Sequence, residues 1–208
     1  MSLATLGFKL YEDEDLTVLF SGTLSTVHET DLSDNPQDFV LYYGDPIETP
    51  ATQLRAVSNP GTDQITLTPT DILPEWTAAT AYTLGQAVQP TTPNTFWYEV
   101  TTAGTSHASV EPTWPTAGIG STVVDGTIIW TLKGLKHPTT EIKLALTSGG
   151  LAGATGGAAL NIGATLLSGA SNATEINIRI ANSVQTVSND MNQPHLGLYI
   201  NAVQQEAV

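Results

Sequence analysis

Cysteine is absent from this chain of 208 residues. That excludes disulfides, thiol catalysis and zinc–thiolate centres, and it frees folding from the redox state of the surroundings. Positive charge is nearly as scarce, with six Lys and Arg against twenty Asp and Glu and a formal charge of −14. These cations are scattered from Lys9 to Arg179 rather than clustered. A phosphate backbone or an anionic membrane surface would find no patch to grip, so neither nucleic acid nor membrane is expected among the partners. No apolar run reaches the length of a transmembrane helix. The opening MSLATLGFKLYEDED has neither the basic start nor the apolar stretch of a signal peptide. The chain is therefore expected to be made in a cytoplasm and to reach any outside location by other means than its own secretion signal.

The motifs of common enzymes are also missing. There is no G-x-S-x-G elbow, no H-E-x-x-H and no G-x-x-x-x-G-K-[ST]. Gly149 to Gly157 is rich in glycine but has no lysine, and reads as flexible or closely packed backbone. His28, His107, His137 and His195 stand singly, without metal-ligand spacing. The run Glu12–Asp15, with Asp31, Asp34 and Asp38, offers oxygens for a hard cation such as calcium. It lacks the alternate acidic positions and glycine of an EF-hand loop, and reads as a solvated turn and a loop. A glycosidase needs two carboxylates facing across a groove, and nothing in the sequence pairs Glu99, Glu111 and Asp125. The expectation is no catalytic residue, no metal and no cofactor.

Charged residues make up only 12 % of the chain, whereas hydrophobic content is an ordinary 40 %. Short runs of period two are frequent. Ile65 and Leu67 share a face, as do Ile142, Leu144 and Leu146. Ile176, Ile178 and Ile180 point inward, with Asn177 and Arg179 outward. Leu16–Phe20, Phe39–Tyr43 and Leu196–Ile200 are further candidate strands, separated by Gly, Pro, Asn and Asp turn signals. No segment shows sustained helical periodicity, although the Ala/Gly-rich run 149–163 has room for a short helical turn. This pattern predicts a mainly β protein, a β-sandwich with a small inserted β-rich module. Prolines at Pro74 and Pro138 bracket a change in composition. Residues 1–74 plus 135–208 are expected to form the sandwich and 75–134 the inserted module, because neither flank alone has enough strands for a stable core. Three consecutive small domains are the alternative.

What the module has is aromatic residues. All four tryptophans, Trp76, Trp97, Trp114 and Trp130, fall inside it with Tyr82, Phe96 and Tyr98. Such a cluster means either a miniature core or an aromatic binding face. Trp76 and Trp130 bracket the module and, with Tyr82, are expected in its core. Neighbours alternate sides along Phe96-Trp97-Tyr98, and Trp114 stands in a loop between Pro112 and Pro115. Trp97, Tyr98 and Trp114 are therefore the candidates for a glycan-binding face. Asp125-Gly126 reads as a hairpin turn between Thr122-Val-Val and Thr127-Ile-Ile-Trp130.

The stretch WTAATAYTLGQAVQPTTPNTFWYEVTTAGTSHASVEPTWPTAGIGSTVVDGTIIWTLKG, from Trp76 to Gly134, resembles the small carbohydrate-binding-like modules of bacteriophage tail and head-appendage proteins. The shared order is Trp, A-Y-x-x-G-x-x-V, W-Y-x-V, A-G-T-S, E-P-x-W-P, D-G-T-x-x-W. The flanks, VHETDLSDNPQDFVLYYGDP and IKLALTSGGLAGATGGAALNIGATLLSG, are similar to structural proteins encoded in phage virion clusters. The resemblance implies a non-enzymatic structural component of a phage particle, in capsid, neck or tail appendage. Its expected partners are other virion proteins, further copies of itself and, through the module, host-surface polysaccharide. An architectural spacer that binds no sugar is the alternative, and a cell-surface hydrolase fragment a third reading.

Overall fold

The computed structural model of the protein describes residues 7–24, 26, 33–48, 52–183 and 196–208. Asp31, His28 and His195 lie outside them. The protein is mainly β, built from several antiparallel sheets. The chain first forms β1 (Lys9–Tyr11), β2 (Gln37–Gly44), β3 (Thr52–Ala56) and β4 (Ile65–Asp71). Next come β5 (Ala81–Tyr82), β6 (Ala87–Val88), β7 (Phe96–Thr102), β8 (Gly104–Thr105), β9 (Thr122–Asp125) and β10 (Ile128–Leu135). The return path holds β11 (Ile142–Ala145), β12 (Leu160–Gly163), β13 (Thr165–Leu167), β14 (Thr174–Ile180), β15 (Leu196–Ile200) and β16 (Val203–Ala207).

Contacts divide the chain into two compact units. One takes the described residues up to Thr70 together with Thr139–Ser183 and Gly197–Val208; the other is built around Asp71–Pro138. The sheets of the first unit run in the orders β1-β2-β14-β11, β12-β4-β15 and β13-β3-β16. Each of these sheets therefore combines strands from before residue 71 with strands from after residue 138. The longest ladder pairs β2 with β14, from Thr174 opposite Tyr43 to Ile180 opposite Gln37.

The period-two runs produce the strands they predict, because alternate apolar side chains fill the interior. Ile65, Leu67, Ile142, Leu144, Ile176 and Ile178 are all buried. Ile180, expected inward, is only half-buried, and three further places depart from the pattern. Asn177, expected outward, is buried, and its amide donates to Glu175 Oε1 at 2.7 Å. It stands on β14, a central strand between β2 and β11, while Glu175 on the same side stays exposed. Leu146 is exposed because β11 ends at Ala145. Leu16–Phe20 is not a full strand. Leu16 takes a φ of 55°, and the chain then returns along β1 through a single bridge between Tyr11 and Leu19. The run Gly149–Gly163 holds one short helical turn, Ser148–Ala152, capped by Thr147.

Several acidic residues of the first unit hold its loops and strands together. Asp13 accepts the Thr17 hydroxyl at 2.7 Å and the Val18 N–H at 2.7 Å, which holds its carboxyl below the ordinary value. Asp34 accepts from the Gln37 amide at 3.0 Å. Arg179 forks onto both oxygens of Asp38 at 2.7 Å, lowering that carboxyl. The buried Asp45 ties distant segments together. Its Oδ2 accepts from Thr52 Oγ1 at 3.0 Å and Gln205 Nε2 at 2.9 Å, and Gln205 Oε1 accepts the Gly7 N–H at 2.7 Å. Among the described residues, no three metal-ligating side chains converge.

Candidate functional site in the aromatic unit

The unit around Asp71–Pro138 is organised by a four-stranded sheet, β6-β7-β10-β9, with β5 and β8 paired beside it. One face of this sheet carries Val88, Tyr98, Val100, Ile128, Trp130 and Leu132, which pack with Trp76 into a single buried cluster. Tyr82, Phe96 and Trp114 lean against it, partly buried. Three ring contacts run from Tyr82 through Trp130 and Trp114 to Tyr98, with centroid distances of 4.9, 5.7 and 4.4 Å.

At the centre of this aromatic packing lies a carboxylate. Asp125 is 3 % exposed. Its Oδ2 accepts both indole N–H groups, from Trp76 at 2.7 Å and Trp130 at 3.0 Å, while Oδ1 accepts the main-chain N–H of His107 at 2.7 Å. Buried indole N–H groups need acceptors and a buried carboxylate needs donors, so each requirement meets the other. The hairpin turn falls at Gly126-Thr127, after Asp125 and before β10. Gly126 has a φ of 58°, and a Cβ there would lie 2.4 Å from the Thr105 carbonyl oxygen. Only glycine fits a turn pressed this closely against β8.

Trp76 and Trp130 thus occupy the interior, as read from the sequence, whereas Tyr82, expected there with them, is only partly buried against the cluster. The three residues expected to make a binding face are placed differently. Trp97 is 4 % exposed and Tyr98 is fully buried, which corrects the expectation that one of them faces solvent. Alternation does send them to opposite sides of β7, but both sides are covered at this point. The Tyr98 hydroxyl accepts from the Asn94 amide at 2.8 Å and donates to the Pro115 carbonyl at 2.9 Å. Burial pushes its phenol up, against a smaller downward effect of Asn94.

Trp114 alone of the three reaches the surface, and only in part. Its indole N–H donates to Glu111 Oε1 at 2.7 Å. The same oxygen accepts the Thr91 N–H at 2.9 Å, and the Thr91 hydroxyl donates to Oε2. Burial acts to raise the Glu111 carboxyl, but together the Thr91 and Trp114 hydrogen bonds outweigh it and leave the group below its ordinary value. An open depression of about 450 Å³ lies over this pair, lined also by Pro90, Thr92, Asn94 and Pro112. A carboxylate has about four acceptor positions and three donors reach this one, leaving capacity for a further hydroxyl. Sequence reading named Glu111 only as an unpaired carboxylate. The short E-P-x-W spacing that lets its side chain meet the Trp114 indole was the available signal.

Glu99 and Asp71 are engaged elsewhere. Glu99 pairs with Lys133 at 2.8 Å on the other face of the sheet. Where the chain enters and leaves the unit, the Lys136 ammonium binds both Asp71 and the Gln89 side-chain oxygen. Gln89 in turn donates to the Leu73 carbonyl at 2.8 Å. The incoming and outgoing segments are thereby fastened to each other.

No protein-family model, curated protein or solved structure matches this chain.

Proposed function

We propose that this chain is a non-enzymatic structural component of a bacteriophage particle, and that its aromatic unit is an architectural element rather than an extended glycan-binding face. The observation that carries the architectural reading is the burial of Trp97 and Tyr98. A surface that grips a polysaccharide stacks sugar rings on several open aromatic faces, and here Trp76, Tyr98 and Trp130 pack into one buried cluster while Trp97 is buried on the other side of β7. Support for the particle setting is the motif order from Trp76 to Gly134, together with a surface poor in charge.

Self-association belongs to this proposal. The Gly/Ala/Thr-rich segment from Thr147 to Ala173 carries little repulsion and lets backbones approach closely. A side chain introduced at Gly149 would start in open space, with nothing within 4 Å of its Cβ. Gly149→Lys should therefore leave the fold intact and weaken the oligomer in sedimentation velocity.

One observation favours a second reading. The depression at Trp114 and Glu111 joins part of an indole to an ionised acceptor, enough for a single sugar unit. One such contact is weak, and only many copies on a particle would turn it into firm attachment. Antibody labelling of intact virions tests the structural role, and retention of the purified protein on host polysaccharide separates the two readings. Retention by the wild-type chain would favour the depression, and failure on every host polysaccharide would leave the architectural role. Absence of the protein from particles would overturn both.

A further inference from the structure

The loop that delivers Glu111 and Trp114 begins with an imidazole used as an acceptor. His107 Nδ1 accepts the main-chain N–H of Ser109 at 3.2 Å and that of Val110 at 3.0 Å. An Asp or Asn oxygen ordinarily fills this place in a turn. An imidazole nitrogen accepts only while its lone pair is free, and in the protonated ring both nitrogens donate.

The residue's main chain is held on both sides. Its N–H donates to Asp125 Oδ1 at 2.7 Å, and its carbonyl accepts the Ala79 N–H at 3.1 Å. The side chain is exposed. Of the charged groups in the packed elements, Asp125 from β9 takes the main-chain N–H rather than the ring. Glu111, further along the same loop, is occupied by Thr91 and Trp114. On these contacts, neither carboxylate replaces Nδ1 as the acceptor for Ser109 and Val110.

We propose that His107 is a proton-operated clasp on this loop. With Nδ1 unprotonated, the turn over Ser109 and Val110 is closed. A proton taken from solvent at Nδ1 removes the acceptor, releases both N–H groups to water and loosens the backbone that leads to Glu111. The clasp does not depend on whether the depression takes a sugar.

The test is a pH titration of the full-length, nitrogen-labelled protein by NMR, following the Ser109 and Val110 amides beside the His107 ring. In the wild type, both amide protons should move upfield with the midpoint of the ring. Their exchange protection, corrected for intrinsic pH dependence, should fall by roughly three- to tenfold, the counterpart of one or two ordinary hydrogen bonds. His107→Asn supplies an acceptor oxygen at every pH and should keep both amides protected throughout. His107→Ala should leave them open throughout. Amides that stay protected while the wild-type ring titrates would overturn the proposal, as would an Asn variant that opens with the wild-type midpoint.

Discussion

Trp76 and Trp130, far apart in sequence, donate their indole N–H groups to the same oxygen, Asp125 Oδ2, at 2.7 and 3.0 Å. The loop leading into the unit and the strand closing it are therefore fixed on one atom. Asp125→Ala would leave two indole N–H groups and the His107 N–H without their acceptor. The two buried indole N–H groups cost about 1–3 kcal/mol each, so the unit should lose at least about 2 kcal/mol, the His107 N–H being only partly buried. Urea unfolding followed by tryptophan fluorescence reads this directly, since every tryptophan lies in this unit. A midpoint like that of the wild type would mean that Asp125 does not organise the packing.

Trp97 and Trp114 should separate cleanly on substitution. Trp97 is buried, so Trp97→Ala should destabilise the unit by roughly 3–5 kcal/mol. Trp114→Ala loses its ring contacts with Tyr98 and Trp130 and its bond to Glu111, but starts from a partly exposed position and should cost less. Thermal melts beside polysaccharide-retention assays distinguish structure from binding. Unchanged melting with lost retention in Trp114→Ala would support the depression as a sugar contact. An unchanged melt in Trp97→Ala would contradict its place in the interior.

Glu111 gives the unit an acid-sensitive tie to Thr91 and Trp114. Its folded carboxyl lies below its ordinary value of 4.5, so the unfolded chain takes up the proton more readily. The stabilisation is complete above the unfolded value and fades as pH falls through the lower folded value. Glu111→Gln lacks this titration, so the stability difference between wild type and variant should narrow as pH drops below 4.5. Melting temperatures of both proteins across that range check the sign. A gap that widens on acidification would refute it.

Much of the fold was legible because it depends on local alternation. Ile65, Leu67, Ile142, Leu144, Ile176 and Ile178 are buried where period-two patterning puts them. The hairpin was legible at Asp125-Gly126, but its turn falls one residue later, at Gly126-Thr127, because Asp125 still pairs with Ile128 as the end of β9. What alternation does not encode is whether the second face of a strand is covered. That is why Asn177 and Trp97 read as outward or ambiguous and proved buried. The acceptor role of Asp125 was hidden for a related reason. Its partners come from residues 76, 107 and 130, and only the fold brings them together. The same holds for Thr91, which completes the Glu111 site.

The fastening of Asp71, Gln89 and Lys136 suggests that the aromatic unit can be removed without opening the rest. Replacing residues 75–134 by a short Gly/Ser bridge should leave a cooperatively unfolding protein, since closing such a loop costs only about a kcal/mol or so. The product has no tryptophan, so circular dichroism is the appropriate probe. A broad, non-cooperative melt would show that the flanking strands need the unit to fold.

Each sheet of the first unit draws strands from before residue 71 and after residue 138, and this sets an order of events during synthesis. As the chain leaves the ribosome, β1 to β4 emerge before the strands β11 to β16 that complete their sheets. All the strands of the aromatic sheet follow in one continuous stretch, and domains fold as units as they become complete. The aromatic sheet thus has all its strands before any sheet of the first unit does, and β1 to β4 gain the rest of their partners only when the later segment arrives.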